Sequence, residues 1–124
     1  MLGFESLEVW KSCRHFRIEC SKIAKSFPNE EKYRLTDQLI RSSRSTTANI
    51  AEGHGRYHYQ ENIQYCRQSR GSLDESLDHL ITARDENYIN EIQLEEMRVK
   101  YAQCLKLLNG YIAFLKKRKN DDKG

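Results

Sequence analysis

The chain has 124 residues, enough for one domain that buries roughly two-thirds of the surface its unfolded form would expose. Hydrophobic residues make up 38% and charged residues 31%, with a single proline, which is typical of a helix-rich globular protein. No apolar run approaches the roughly 20 residues that a membrane-spanning helix requires, so we expect a cytoplasmic protein.

The charge is unevenly distributed along the chain. The 21 lysines and arginines outnumber the 18 aspartates and glutamates by only three, too few to identify a nucleic-acid-binding protein from the net charge. Lysines and arginines from Lys11 to Arg56 make the first half basic, a block from Asp74 to Glu96 is mostly acidic, and Lys116 to Lys119 are basic again. The distribution therefore predicts surfaces of opposite sign.

Apolar residues at alternating spacings of three and four predict four helices. The first carries Val9 to Phe27 and ends at Pro28, because proline cannot continue a helix. The second runs from about Glu31 to the glycines at 53 and 55. The third runs from Tyr59 to about residue 88, and the fourth carries an apolar stripe from Leu94 to Leu115. Short connections force neighbouring helices to be antiparallel. The predicted fold is all-α, an up-down-up-down four-helix bundle over residues 1–119 with a charged tail at 120–124.

Small polar residues replace large apolar ones where the second and third helices should meet. They predict a close approach of the two backbones, with nearby polar groups that need mutual hydrogen bonds. Two interpretations stay open: these residues fix the helix register and cap a turn at Gly53, or they contact a ligand or partner. The motif residues are Ser45, Asn49, Glu52, Gly53, Arg70 and Gly71.

Apolar residues also lie outside the inner stripes of the first and fourth helices. A monomeric bundle does not need them, so they predict contacts between identical copies. The candidate interface residues are Trp10, Ile18, Leu105, Ile112 and Phe114.

No motif in the chain identifies a reaction. The four cysteines lack C-x-x-C spacing and fall on the inner stripes, which favours core packing over a metal or disulfide role. His54 and His58 flank a predicted turn and do not share a helix face. We therefore predict no catalytic residue, no metal and no cofactor. An RNA-processing enzyme remains an alternative, and loss of nuclease activity on mutating His58 would support it.

Basic residues on the first two helices come in pairs on a single face. A solvent-exposed charged face is one interpretation, and contact with nucleic-acid phosphates is the other; assembly of several copies would strengthen the second. Tyr57 and Tyr59 could stack on bases beside this face. The candidate phosphate-binding residues are Arg14, Arg17, Arg41, Arg44 and Arg56.

The chain resembles the 23S rRNA intervening-sequence proteins, a family of four-helix bundles, over nearly its whole length. The resemblance is carried by the segment from Ser45 to Arg56, by Leu7 to Trp10, by Gln38 to Arg41 and by Gly71 to Leu73. It implies a homopentameric ring with no known catalytic activity. The family is also similar to the accessory variability determinant of diversity-generating retroelements. That similarity implies RNA, DNA or a reverse-transcriptase-like protein as candidate partners.

The sequence thus predicts a non-enzymatic oligomeric scaffold or adaptor that contacts nucleic acid, or a protein that handles nucleic acid, through a basic surface. The alternative is a protein-protein interaction module, without nucleic-acid binding, that uses the apolar flanks and the acidic block.

Overall fold

The computed structural model describes residues 3–123, which form four long α-helices and contain no β-strand. The helices are α1 (Glu8–Lys25), α2 (Leu35–Gly55), α3 (Tyr59–Asp85) and α4 (Glu91–Lys123), and two short 3-10 turns cover Phe4–Ser6 and Asn29–Glu31. In this described part of the chain, α1 packs on α2 and α4, and α3 packs on α2 and α4. The helices therefore close a four-helix bundle, as the apolar spacing predicts. No helix within residues 3–123 is both long and apolar enough to span a bilayer.

The inner stripes of the helices supply the core. All four cysteines are buried there as free thiols, and burial raises the pKa of Cys66 to about 12. Two details differ from the predicted stripes. The spacing of three and four favours Ile23 as the stripe residue between Cys20 and Phe27, but Ala24 takes that core position. Ile112, predicted on an outer flank, is only 3% exposed. Ile112 therefore belongs to the core of this subunit and not to a surface between copies.

The end of α2 differs from the predicted break at the two glycines. The helix continues through Gly55, and the chain turns instead at Tyr57, whose φ of 57° lies in the left-handed region. Gly53 has a different role, because a Cβ there would lie 2.8 Å from both the Asn62 side-chain oxygen and Tyr65 Cβ. The first turn of α3 thus passes directly over Gly53, and only glycine fits without displacement.

Hydroxyl groups join α2 to α3 where the sequence predicts a close approach. The Ser42 and Ser76 hydroxyls lie 2.8 Å apart, and the Ser69 hydroxyl donates to the Thr46 carbonyl oxygen at 2.7 Å. All four side chains are buried. Small side chains allow the helices to pack closely, and each buried hydroxyl gains the partner that burial requires. These four residues are called the hydroxyl seam below.

Ser45 and Asn49 extend this contact toward the surface. The Ser72 hydroxyl donates to the Ser45 hydroxyl at 2.9 Å, and the Asn49 amide donates to both the hydroxyl and the carbonyl oxygen of Ser45, each at 2.9 Å. The bonds of Asn49 stay within α2. Its amide therefore supports the position of Ser45, and it is Ser45 that contacts α3.

The other three residues of the predicted motif lie outside this contact. Glu52 is exposed and pairs with Arg56 at 3.3 Å, and the Arg70 guanidinium donates to the Asn109 side chain on α4 at 2.7 Å. Gly71 is exposed, with no atom within 4 Å of a Cβ built there. The sequence wrongly placed Gly71 in the close approach of the helices, since it lies on the outer side of α3.

The last helix is longer than its apolar stripe. Residues 120–123, predicted as a separate charged tail, continue α4. Residues 1, 2 and 124 of the predicted ranges lie outside the described residues. Near its end, α4 bonds to the start of α3, where Lys119 donates to the Gln60 side chain.

Candidate nucleic-acid interface

A groove with a volume of about 490 Å³ runs between α1 and α2 on the outside of the bundle. Isoleucines and serines form its inner surface, and four cations surround it, with no carboxylate among the lining residues. We call it the basic groove; it is lined by Arg17, Ile18, Ser21, Lys22, Lys25, Ile40, Ser43 and Arg44.

The cations of the basic groove differ in how they are held. Arg17 is half-buried and donates from Nη1 to the Thr47 hydroxyl at 2.9 Å, which fixes its guanidinium against α2. Lys22 pairs with Glu19 at 3.3 Å on its own helix. Lys25 and Arg44 are exposed, and no carboxylate of the described residues lies within 4.0 Å of either. These two cations are therefore free to neutralise a bound anion.

The structure brings together only part of the predicted set of arginines. Arg17 and Arg44 line the basic groove. Arg14 lies one turn before Arg17 with its guanidinium carbon 5.9 Å from the Trp10 ring centroid, and Arg41 lies one turn before Arg44 and pairs with Asp37 at 3.7 Å. Arg14 and Arg41 thus adjoin the groove and do not line it.

Arg56 lies at the far end of α2 and is already neutralised. Its guanidinium is 3.3 Å from Glu52 and 3.7 Å from Glu61, and it donates to the Tyr65 hydroxyl at 2.9 Å. Tyr65 first, and then Glu52, raise the pKa of Arg56 further. An arginine with two carboxylate partners is a weak candidate for phosphate binding, so the grouping of Arg56 with the other four is not supported by this geometry.

Sequence reasoning did not single out Lys22 and Lys25, which line the groove. The spacing that selected arginine pairs also holds for Lys22 and Lys25, which lie three residues apart at the end of α1. Treating lysine and arginine alike would have extended the predicted face to the end of α1.

The candidate interface residues do not form one patch. Ile18 is 37% exposed and belongs to the basic groove, whereas Trp10 is half-buried against Phe4, with ring centroids 5.1 Å apart. Phe114 is 54% exposed, and Leu105 is half-buried. These two are nine positions apart, about two and a half helical turns, which places them on opposite sides of α4.

A second surface lies on the first turns of α4. Ile92 and Val99 are each 71% exposed, and Glu91, Glu95 and Glu96 surround them. We call these five residues the acidic ridge. Sequence reasoning identified the acidic block here but not the two exposed aliphatic side chains within it.

Residues 3–123 bring together no group of three or more histidine, cysteine, aspartate or glutamate side chains able to hold a metal ion. His58 is exposed beside Tyr57, and His54 lies with its ring centroid 6.3 Å from that of Tyr57. The rings of His54 and Tyr57 therefore lie near each other at the turn between α2 and α3.

Comparison with known proteins supports this architecture. Among solved structures, the chain is similar to a crystal structure of a protein with unknown function from the S23 ribosomal protein family of Bacteroides thetaiotaomicron VPI-5482. The identity is 24% and the TM-score 0.77, over 84% of this chain and 97% of that chain, a likeness that concerns the fold alone. The comparison with curated proteins gives no match.

A family model described as 23S rRNA-intervening sequence protein matches residues 5–110. The match begins in the 3-10 turn before α1, includes all of α1, α2 and α3, and extends well into α4. The chain therefore belongs to the family of 23S rRNA-intervening sequence proteins.

Proposed function

We propose that this protein is a non-catalytic scaffold of the cytoplasm that binds nucleic acid through the basic groove. The observation that carries the proposal is the grouping of four cations around one groove without a carboxylate in its lining. Phosphate contacts supply most of the affinity of proteins that bind nucleic acid without sequence preference. Arg17 supports this role because Thr47 holds its guanidinium in place before any ligand arrives.

The test is the salt dependence of binding to a labelled RNA, measured by fluorescence anisotropy between about 50 and 200 mM salt. The double variant K25Q/R44Q removes the two exposed groove cations that have no carboxylate partner. On a single strand each lost phosphate contact makes the slope of log K against log salt less negative by about 0.7. We therefore expect the slope of the double variant to be less negative by about 1.4.

A charge-matched control is R67Q/K106Q, because both residues are exposed, lie on α3 and α4, and make no ion pair among the described residues. It removes the same net charge from another part of the bundle, and its slope should match that of the unaltered protein. Equal effects of the two double variants, or affinity that does not fall with salt, would refute the proposal.

We also propose that identical copies associate into a ring. Trp10 on α1, and Leu105 and Phe114 on opposite sides of α4, place apolar surface on separate faces, as a ring requires when one face of a copy meets a different face of the next. The family resemblance supports five copies. Light scattering at micromolar concentration tests this, and a mass of one chain would contradict it.

A second candidate function is protein-protein interaction through the acidic ridge. Two exposed aliphatic side chains two turns apart, surrounded by carboxylates, are typical of a surface that meets a basic amphipathic partner. The variant I92S/V99S should keep the fold, because both side chains are largely exposed. If it leaves RNA binding unchanged but abolishes self-association, the ridge contacts a second copy of this chain. Unchanged self-association would contradict a ridge contact between copies.

A further inference from the structure

The basic groove does not end at Lys25 and Ile40. Both residues also line an adjoining recess with a volume of about 350 Å³, at the turn between α1 and α2. The two cavities therefore adjoin at these residues, and together they are called the channel. The recess is lined by Ala24, Lys25, Phe27, Pro28, Asn29, Lys32, Thr36, Asp37 and Ile40.

Both charged and apolar side chains line this channel. Its cations are Arg17, Lys22, Lys25, Lys32 and Arg44. Its only lining carboxylate is Asp37, which pairs with Arg41 at 3.7 Å. Ile18 and Ile40 in the groove, and Pro28 in the recess, provide the accessible apolar part, whereas Ala24 and Phe27 are buried behind it. A simple phosphate-binding surface has no need of this apolar component.

An exposed aromatic ring stands beside the recess. Tyr33 is 84% exposed, and the ammonium group of Lys32 lies 5.4 Å from its ring centroid. A cation and an aromatic face side by side can hold the phosphate and the base of one nucleotide, because bases stack on aromatic rings and phosphates pair with ammonium groups. Tyr33 makes no core contact that would otherwise explain its ring.

We propose that the channel takes single-stranded nucleic acid, with phosphates on its cations and bases against Ile40 and the Tyr33 ring. A duplex keeps its bases stacked inside and offers only phosphates, so it cannot use the apolar part. The two cavity volumes each fall in the range of sites that enclose a small ligand, which suits one nucleotide unit in each. This inference rests on the proposed function and specifies its ligand.

The experiment compares a short labelled single-stranded RNA with its blunt duplex, each titrated by fluorescence anisotropy at the same salt concentration. Base stacking on one aromatic side chain contributes about 1 to 3 kcal/mol, or roughly a 5- to 150-fold change in affinity. We expect Y33A to weaken single-strand binding within that range and to leave duplex binding unchanged. Y33F, which keeps the ring, should bind the single strand as well as the unaltered protein does.

The chain offers a matched control in Tyr57, which is 87% exposed. The sequence suggested this ring for base stacking, but it lies at the end of the bundle away from the channel. Y57A removes an equivalent exposed ring away from the channel and should change neither affinity. K25Q/R44Q should weaken the binding of both the single strand and the duplex.

Three results would overturn the inference while leaving the proposed function in place. The first is duplex binding as tight as single-strand binding, and the second is a Y33A effect no larger than that of Y57A. The third is an equal loss of affinity for the single strand and for the duplex in Y33A. Displacement of the single strand by poly-glutamate at equal charge concentration would assign the channel to acidic peptides instead. A complete lack of RNA binding would remove both the proposed function and this inference.

Discussion

The substitution G53A tests whether α2 and α3 approach each other as closely as the structure shows. In an open helix, replacing glycine by alanine stabilises the fold by about 1 kcal/mol, because the backbone loses less conformational freedom. At position 53 the new methyl group would lie 2.8 Å from the Asn62 side-chain oxygen and from Tyr65 Cβ, and 3.1 Å from the Asn62 carbonyl oxygen. Two of these three atoms cannot rotate away. Overpacking of this kind costs about 1 to 3 kcal/mol, and more when backbone must shift.

We therefore expect G53A to lower the free energy of unfolding by up to about 2 kcal/mol after the gain in helix propensity is subtracted. G71A is the control, because a Cβ there meets nothing within 4 Å, and it should stabilise the protein by about 0.5 to 1 kcal/mol. Urea unfolding followed by circular dichroism measures both variants against the unaltered protein. If G53A is as stable as G71A, the close approach of the helices is wrong.

Three further predictions concern local contacts. Tyr57 has a φ of 57°, so Y57G should raise the free energy of unfolding by about 0.5 to 1 kcal/mol in the same urea assay, and a decrease would contradict the left-handed turn. The Tyr88 hydroxyl donates to Glu31 at 2.7 Å, which lowers the pKa of Glu31 and raises that of Tyr88 to about 12. The contact therefore stabilises the folded state above the ordinary glutamate pKa of about 4.3 and below the ordinary tyrosine pKa of about 10. Y88F should lower the Tm at neutral pH, and the difference in Tm should shrink at both acidic and strongly alkaline pH. A difference in Tm that does not change with pH would refute this. N49A should change the free energy of unfolding by less than about 1 kcal/mol. It loses the hydrogen bonding of Asn49 to Ser45, worth about 1 kcal/mol, but gains the higher helix propensity of alanine. A loss above about 2 kcal/mol would give Asn49 a larger role than its bonds to Ser45 indicate.

The helices and the core could be predicted because apolar spacing reports directly on which face of a helix is buried. Spacing is less informative at flanks, where one position changes the outcome. Ile112 and Tyr111 are neighbours on α4, and either one fits the spacing of three or four between Leu108 and Leu115. Ile112 is buried, whereas the Tyr111 hydroxyl accepts a bond from the Asn62 amide and stays at the edge of the core. A glycine in a helix does not by itself show whether it packs closely on a neighbouring helix. Gly53 does so, whereas Gly71 is exposed.

The candidate site could be predicted only in outline. Counting charges located a basic face on the first two helices, but a count cannot show which cations already have partners. Arg56 and Arg44 look equivalent in the sequence, yet Arg56 contacts two carboxylates and Arg44 contacts none among the described residues. The groove itself depends on two helices at once, so no pattern within either helix reports it.

The two sides of α2 explain why the groove lies where it does. Toward α3, α2 presents Ser42 and Thr46 of the hydroxyl seam together with Gly53, and these small residues let the two backbones approach closely. Toward α1 it presents the long side chains of Ile40 and Arg44, which meet Arg17 and Ile18 across a gap. A helix that packs tightly on one neighbour is drawn toward it, and the space on its other side is then filled by flexible charged side chains. On this argument, enlarging the hydroxyl seam should move α2 toward α1 and narrow the groove, so S76V should weaken RNA binding without removing any charge. Undiminished binding by a folded S76V protein would separate the groove from the packing of α2 on α3.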